Sequence, residues 1–276
     1  MFSISVLISV YKSEKPAYLK RSLDSIWDDQ ILKPKEIILV EDGLLTAELY
    51  EVIENFKNKV GDALKLIVNK TNIGLTKSLN KGIKVATGDY IARMDSDDIS
   101  LPDRFLKQAE FLEANKEICV VGGYIQEFDN EHVNLNVRRF PLSHEDALDY
   151  IYKASPLAHP TVMMRNDIFK KGIKYDEKYR TSQDVALWFT LINAGYRIAN
   201  LDMITLKFRR EGDVFKRRSR EKAKNELLIY CKGIRQTYGL LSWKYMYPLA
   251  RYIFRNMPIP LVKKIYGSSF RNKILE

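Results

Sequence analysis

The first hundred residues alternate between short apolar runs and amphipathic stretches. The apolar runs are rich in Val and Ile and have few polar residues, which is typical of strands that are buried on both faces. The stretches between them repeat apolar residues every three or four positions, which predicts helices. Strands are predicted at 3–10, 36–40, 64–68 and 90–94, and helices at 17–28, 47–58 and 74–86. This alternation predicts an α/β fold with a mostly parallel central sheet and flanking helices.

Polar residues follow the carboxyl end of each predicted strand. In sheets of this kind, ligands bind beyond the carboxyl ends of the parallel strands. We therefore expect one shared binding rim, formed by Val10-Tyr11, Glu41-Asp42, Asn72 and Asp95–Asp98.

The pattern beyond residue 100 is less regular. Helices are predicted at 105–114, 144–152 and 183–194, with another starting at 167, and strands at 118–128, 160–164 and 201–208. Residues 133–140 could pair with 118–128 as a hairpin. Beyond Arg220, three helical stretches are predicted, separated by Gly239 and by Pro258 and Pro260.

Composition places the chain among ordinary globular proteins, with 276 residues, 46% hydrophobic and 29% charged. No apolar run approaches the roughly 18–20 residues that span a bilayer. The run 4–10 is too short to span a bilayer and has no basic region before it, so we expect neither a signal peptide nor an anchor there. Cys119 and Cys231 have no Cys or His neighbour at metal-binding spacing, so we expect reduced thiols in a cytoplasmic protein.

The net charge of +10 is unevenly distributed. Residues 207–276 carry 18 Lys and Arg against 5 Asp and Glu, whereas residues 1–206 carry 27 against 30. The whole basic excess lies in the last quarter of the chain. It indicates an anionic partner: membrane headgroups, a phosphate-bearing substrate or nucleic acid.

The densest negative charge lies in Asp95-Ser96-Asp97-Asp98, directly after the fourth predicted strand. Carboxylates this close raise each other's pKa. A divalent cation relieves the repulsion, and Mg²⁺ or Mn²⁺ is commonly held by one or two carboxylates and the oxygens of a diphosphate. The alternative is an acidic turn that precedes an N-capped helix.

With these strand ends assembled, the chain resembles the inverting, nucleotide-sugar-dependent glycosyltransferases of family 2, which have the GT-A fold. The resemblance covers roughly residues 3–210 and depends on the order and spacing of short motifs. One position departs from the family pattern, because Gln183 stands where the family usually has Glu. The motifs are Ser9-Val10-Tyr11-Lys12, Val40-Glu41-Asp42-Gly43, Asn72-Ile73-Gly74-Leu75, Leu79-Asn80-Lys81-Gly82, Ile91–Asp98 with Pro102-Asp103-Arg104, and Ser182-Gln183-Asp184-Val185-Ala186-Leu187-Trp188.

The resemblance implies a set of donor-binding residues along the rim. Asp97 is the leading metal ligand and Asp98 shares that role or a donor contact. Asp95 would contact the donor ribose or sugar. Asp42 would accept a hydrogen bond from uracil, although an Asp before Gly is also typical of a turn. The other implied donor-binding residues are Val10, Tyr11, Asn72, Ser96 and Arg93, the last of which could instead form an ion pair with the acidic cluster.

The resemblance also implies residues for the acceptor side. A sugar hydroxyl needs a general base, and Asp184 is the candidate, unless it is only a helix cap like Ser182. His159 would contact the acceptor, or it is a structural histidine. Arg209 and Arg210, on a polar stretch after the last strand, would bind an acceptor phosphate or form a lid. Lys216, Arg217 and Arg218 belong to the same stretch, which could equally be a solvated basic turn.

The tail interleaves basic and aromatic residues, which suits a helix lying among headgroups. Single-stranded nucleic acid binding and plain packing on the catalytic domain are alternatives. Given the resemblance, we expect membrane contact and no nucleic acid. The domains implied are a catalytic domain at 1–212, with a nucleotide-sugar half (1–100) and an acceptor half (101–212), and a basic helical extension at 213–276.

The resemblance implies transfer of glucose or galactose from a UDP-sugar, with Mn²⁺ or Mg²⁺. The acceptor would be an N-acetylhexosamine on undecaprenyl diphosphate, extended through a β-linkage during O-antigen or exopolysaccharide synthesis. The enzyme would be peripheral on the cytoplasmic face of the bacterial inner membrane. One alternative is a sugar-phosphate nucleotidyltransferase, but residues 11–14 lack the Gly-rich loop that such an enzyme needs. A non-catalytic nucleotide-sugar or nucleic-acid binder is the other.

Overall fold

The computed structural model describes residues 2–129, 133–210 and 220–257. Within these ranges, three short 3₁₀ turns lie at Gly61–Ala63, His159–Thr161 and Trp243–Tyr245. The strands are β1 Ile4–Val10, β2 Glu36–Asp42, β3 Leu64–Asn69, β4 Tyr90–Asp95, β5 Ile99–Ser100, β6 Ile118–Phe128, β7 Asn134–Arg138, β8 Met163–Arg165 and β9 Arg197–Arg209. The helices are α1 Pro16–Trp27, α2 Ala47–Val60, α3 Leu75–Val85, α4 Arg104–Ala114, α5 His144–Ile151, α6 Asp167–Lys170, α7 Gln183–Asn193, α8 Arg220–Tyr238 and α9 Met246–Asn256.

The first half of the chain forms the parallel part of the sheet, in the order β3-β2-β1-β4. Helices cover both faces of these strands. Apolar residues of α1, α2 and α4 pack in one core cluster, and those of α3, α7 and α8 pack in the other. Burial on both faces explains why these strands are nearly continuous apolar runs. The predicted βαβ architecture is confirmed in this half.

The second half continues the sheet with mixed directions, in the order β4-β8-β6-β9-β5. Strand β8 is antiparallel to both β4 and β6, whereas β9 is parallel to β6. The predicted hairpin is present, because β7 pairs antiparallel with β6. In the part of the chain that the structure describes, the sheet has four parallel and four antiparallel pairings. It is therefore mixed, with its parallel strands concentrated in the half that carries the rim.

Two predicted strand boundaries beyond residue 150 were wrong. The strand predicted at 160–164 is a 3₁₀ turn at His159–Thr161 followed by the short β8. The strand predicted from Leu201 begins at Arg197, because it pairs along most of β6. Both boundaries are set by pairing with strands distant in sequence, which a local apolar pattern does not report.

The C-terminal segment packs on the α/β core through α8. Ile229, Tyr230 and Ile234 of α8 are buried in the same cluster as α7. A Cβ built at Gly233 would lie 2.3 Å from the Phe189 ring, so the two helices approach closely there. Of the three helical stretches predicted beyond Arg220, α8 and α9 are present, and the third lies outside the described residues. Among the described residues, no helix is both long and apolar enough to cross a bilayer.

Candidate active site

The strand register brings the predicted rim residues together. Ser9 of β1 pairs with Asp95 of β4, and Val10 pairs with Glu41 of β2. Val10 is buried, while Tyr11, just beyond it, is about half exposed. Parallel strands end at one edge, so the polar residues that follow them share one surface.

The acidic cluster, defined as Asp95, Asp97 and Asp98, is compact. One carboxylate oxygen from each residue lies within 4.8 Å of the others. Asp98 is buried; its Oδ1 accepts a hydrogen bond from the backbone N–H of Arg209 at 2.8 Å, and its Oδ2 has no partner. Burial, and then the charge of Asp95, raises the pKa of Asp97 to about 6. Burial and the charges of Asp95 and Asp97 raise the pKa of Asp98 well above its usual value.

These residues fit a hard divalent cation. The donor set is entirely carboxylate oxygen, which is what Mg²⁺ and Mn²⁺ prefer. The unpartnered Oδ2 of Asp98 is a buried acceptor, and such an atom is costly unless something binds it. The pKa values of Asp97 and Asp98 are raised first by burial and then by the neighbouring carboxylates, and a bound cation would lower both. Asp97 and Asp98 are the residues that would hold the metal.

A fourth carboxylate belongs to this surface and was missed in the sequence. Glu14, in the loop after β1, accepts a hydrogen bond from the Ser96 hydroxyl. Its charge also contributes to the raised pKa of Asp97. Ser96, predicted to bind the donor, is buried and engaged by Glu14. The position of Glu14, just after a strand end, was the available signal.

Arg93 lies at the centre of the site. It is 2% exposed and forms an ion pair with the Asp95 carboxylate. Its Nε and Nη1 have no hydrogen-bond partner. The sequence left open whether Arg93 binds a phosphate or pairs with the acidic cluster, and the structure shows the pairing with Asp95. Burial raises the pKa of Asp184 and the charge of Arg93 opposes that rise, whereas for His159 burial and the charge of Arg93 both lower the pKa. Arg93 therefore acts electrostatically on both residues.

Asp184 lies in the first turn of α7, as predicted. The residue before the helix, Ser182, has a left-handed backbone with φ of 57° and makes no side-chain capping hydrogen bond. Burial raises the pKa of Asp184, opposed by the backbone N–H of Val185 and by Arg93. A raised pKa brings a carboxylate closer to the range in which it accepts a proton efficiently.

The segment before α7 is fixed to α3 by hydrogen bonds. The Asn80 side chain donates to the Tyr175 carbonyl at 2.9 Å and accepts from the Tyr175 N–H at 3.1 Å. The Thr76 hydroxyl donates to the Tyr179 carbonyl at 2.6 Å. The motif around Asn80 therefore helps to position the chain that leads to Asp184.

His159 is buried in the acceptor half and contacts core side chains. Its Nε2 lies 2.8 Å from the Tyr175 hydroxyl, and its ring packs edge-on against Tyr175 and Trp188. Burial, and then the charge of Arg93, lowers the pKa of His159 well below its usual value. These contacts favour the structural alternative, in which a neutral His159 positions neighbouring rings, and acceptor contact stays a prediction.

Asp42 and Asn72 meet at the rim through a loop. Asp42 Oδ1 accepts from the Ile73 N–H at 2.8 Å, and Oδ2 accepts from the Gly74 N–H at 2.9 Å. The Asn72 amide donates to the Asp42 carbonyl at 3.2 Å. Asp42 thus holds the loop at the start of α3, and any donor contact adds to that structural role. Next to it, Glu41 is buried, and burial raises its carboxyl pKa.

Arg209 is not on a polar stretch after the last strand, and that prediction was wrong. It is the final residue of β9 and is 5% exposed. Its Nε donates to the Asp97 carbonyl at 2.8 Å, and its guanidinium stacks 3.8 Å from the Tyr18 ring centroid. Because β9 extends to Arg209, this residue lies next to the acidic cluster and forms hydrogen bonds with Asp97 and Asp98. Arg210 follows and pairs with Glu127 at 3.2 Å, while Lys216, Arg217 and Arg218 lie outside the described residues.

Comparisons with known proteins agree with this architecture. The model of the family described as "Glycosyl transferase family 2" matches residues 5–173. The amylovoran biosynthesis glycosyltransferase AmsE of Erwinia amylovora is 34% identical over 265 residues, which cover 95% of this chain and 97% of that protein. The UDP-Gal:alpha-D-GlcNAc-diphosphoundecaprenol beta-1,3-galactosyltransferase of Escherichia coli is 26% identical, covering 98% of this chain and 94% of that protein.

The fold is also shared with a solved structure, the mannosyltransferase PcManGT from Pyrobaculum calidifontis in complex with GDP-Man and Mn²⁺. The TM-score is 0.65, with 96% of this chain and 79% of that chain covered, at 14% identity. The mixed sheet with helices on both faces is thus a GT-A fold. The chain belongs to glycosyl transferase family 2. Asp184 lies beyond the segment that the family model matches.

Proposed function

We propose that this protein is an inverting glycosyltransferase that moves a hexose from a UDP-sugar to a saccharide acceptor. The observation that carries the proposal is the joint placement of the acidic cluster and of Asp184 around the buried Arg93. One group of carboxylates serves the donor diphosphate, and a separate carboxylate serves the acceptor hydroxyl. A nucleotide binder without transferase activity would not require the second group.

On the donor side, the rim supplies a nucleotide-binding surface. Tyr11, backed by the buried Val10, forms one wall, and Asp42 and Asn72 form the loop beside it. In the proposal, the base of the nucleotide lies between this wall and this loop. Asp95, fixed by Arg93, faces the sugar or ribose.

Asp97 and Asp98 would hold Mn²⁺ or Mg²⁺ together with the donor diphosphate. Such a cation supplies electrostatic stabilisation of the charge that grows on the leaving diphosphate. Arg209 holds the Asp98 carboxylate and the Asp97 backbone in place. The Arg209 N–H binds Asp98 Oδ1, and the Arg209 Nε binds the Asp97 carbonyl.

Asp184 is proposed as the general base. A sugar hydroxyl is too weak an acid to react unaided near neutral pH, so its proton must pass to a base as the new bond forms. Burial raises the basicity of Asp184 while Arg93 keeps it from being protonated too readily. A single displacement with one base inverts the anomeric carbon, so an α-linked donor gives a β-linked product.

For the acceptor, we propose an N-acetylhexosamine on a polyprenyl diphosphate, with glucose or galactose as the transferred sugar. The support is the similarity to a protein whose name states UDP-Gal and a GlcNAc-diphosphoundecaprenol, and to one of amylovoran biosynthesis. A lipid-linked acceptor implies work at the cytoplasmic face of the inner membrane. The basic excess of residues 207–276 is consistent with that place and with a role in O-antigen or exopolysaccharide synthesis.

The test is a donor screen that measures UDP release with Mn²⁺ and a synthetic GlcNAc- or GalNAc-diphosphate lipid. We expect Asp184→Asn to lower turnover by at least about 100-fold, because the general base is lost, while donor binding measured by calorimetry is retained. The control is Asp176→Asn, which removes a carboxylate from the same segment outside α7. Turnover near that of the wild type in Asp184→Asn would refute the assignment.

A further inference from the structure

The helix α9 packs with its charged side inward. Arg251 Nη1 binds Glu226 Oε1 of α8 at 2.9 Å, and Arg255 pairs with the other oxygen of the same carboxylate. The Arg251 guanidinium also lies 4.8 Å from the Tyr230 ring centroid. Both arginines of α9 therefore form contacts with α8.

The opposite side of α9 is apolar and exposed. Met246, Leu249, Ala250 and Ile253 recur at spacings of three and four, which places them on one face of the helix. Met246 is 68% exposed and Ile253 is 58% exposed. Soluble helices normally bury the apolar face and expose the polar one, so α9 is inverted.

The loop before α9 extends this surface. Leu240, Leu241 and Trp243 are also exposed, and Leu241 reaches 97%. We name the whole surface the outer apolar face; its members are Leu240, Leu241, Trp243, Met246, Leu249, Ala250 and Ile253. A contiguous exposed apolar surface of this kind marks a site of interaction with a protein or a membrane.

An aromatic cluster holds this loop against the folded core. Lys244 Nζ lies 3.9 Å from the Tyr152 ring centroid and 4.6 Å from that of Tyr238. Tyr152 also packs edge-on against Trp243 and Tyr247. The outer apolar face is consequently presented by residues that are anchored to α5 and α8.

Charge decides between a membrane and a protein partner. From Leu227 to Leu275 the sequence has nine Lys and Arg and no Asp or Glu. Glu226 pairs with two of the nine, Arg251 and Arg255, so seven basic residues of this stretch are left without that carboxylate. A run of one sign next to exposed Leu, Ile, Met and Trp is the composition of segments that lie in the plane of anionic headgroups. A second copy of the chain would bring the same positive charge and be repelled.

We propose that the outer apolar face inserts shallowly into an anionic bilayer, to which the net positive charge of the C-terminal sequence is attracted. This proposal rests on the lipid-linked acceptor of the proposed function. It identifies the outer apolar face as the surface that contacts the lipid. It places α8 and α9 between the catalytic domain and the bilayer, so that the acceptor is met at the membrane surface.

The test is co-sedimentation of the full chain with vesicles of phosphatidylglycerol and phosphatidylcholine, without donor or acceptor. We expect binding to the mixed vesicles, weaker binding at high salt, and little binding to phosphatidylcholine alone. The double variant Leu241→Gln/Ile253→Gln should lower the partition coefficient by about tenfold or more, because two inserted apolar side chains are lost. The matched control is Ile31→Gln/Val85→Gln, which changes two exposed apolar residues on the α/β domain and should bind as the wild type does.

Unchanged thermal unfolding of both double variants would show that they fold. Equal vesicle binding by both would overturn the inference, as would a wild type that binds no vesicles. Asp184→Asn separates this inference from the proposed function, because it should bind vesicles normally whether or not transfer depends on Asp184.

A fluorescent probe locates the contact directly. In a Cys231→Ser background, an environment-sensitive dye on Ile253→Cys should shift to the blue when the mixed vesicles are added. A dye that is already shifted without vesicles would overturn the inference, because a second copy or another part of the chain would then cover the face. Sedimentation velocity distinguishes those two outcomes.

Discussion

Replacing Asp97 by Asn should stabilise the metal-free protein and abolish its response to metal. Asp97 is partly buried beside Asp95 and Glu14, and these surroundings raise its pKa from 3.8 to about 6. The folded state therefore holds a proton that the unfolded state releases between about pH 4 and 6. The free energy of unfolding falls as the pH rises through that range, and the loss is complete above about pH 7.

The magnitude follows from the size of the pKa shift. A shift of about 2 units corresponds to about 3 kcal/mol at most, and partial exposure lowers this to about 1–3 kcal/mol. Asn keeps the size of the side chain and removes the charge. At pH 7.5, Asp97→Asn should raise the free energy of unfolding by that amount, and the difference should shrink toward pH 5.

The assay is chemical denaturation at both pH values, with and without Mn²⁺. Mn²⁺ at 100 times its dissociation constant should stabilise the wild type by about 2.7 kcal/mol and stabilise Asp97→Asn far less. UDP release by the variant should fall at least about 100-fold, since a charge-stabilising interaction is lost. Asp62→Asn, an exposed site remote from the rim, should change stability by less than about 0.5 kcal/mol. If Asp97→Asn is less stable than the wild type without metal, or responds equally to Mn²⁺, the reasoning is refuted.

Two further outcomes concern residues that support the site. Asp42→Ala should lower the free energy of unfolding by about 2–4 kcal/mol, because the Ile73 and Gly74 N–H groups lose a charged acceptor. Asp42→Asn should lower the free energy of unfolding by less. Equal denaturation midpoints for the wild type and both variants would contradict this expectation. His159 has a pKa lowered by burial, so the unfolded state takes up a proton that the folded state refuses, and stability should fall as the pH drops below about 6.5. His159→Gln, which can keep the contact with Tyr175, should lose this part of the pH dependence in thermal unfolding. If the melting temperatures of the wild type and the variant change equally with pH, this role of His159 is excluded.

Arg93 connects the acidic cluster electrostatically with Asp184 and His159. A buried guanidinium is costly unless it is paired. Here it is paired with Asp95 and acts electrostatically on Asp184 and His159. Removing it would change the ionisation of both sides at once, so Arg93 is a positioning residue for the whole site.

Local pattern was sufficient for the parallel half of the fold. Strands buried on both faces read as apolar runs, and the helices between them read as amphipathic periods, because those signals depend only on nearby residues. The acidic cluster was also evident, since its three carboxylates lie within four consecutive positions. The order of the short motifs then indicated the family, which the comparisons confirmed.

Tertiary structure decided what depends on contacts between distant segments. The start of β9 is set by its pairing with β6, and this is what brings Arg209 onto Asp97 and Asp98. Glu14 joins the acidic cluster from another strand end, and α9 exposes its apolar side because its arginines bind Glu226. By itself the sequence determined the elements of the parallel half, the acidic cluster and the family. The partners of a side chain, and the face that a helix turns outward, depend on neighbours far along the chain, so only the folded structure fixed them.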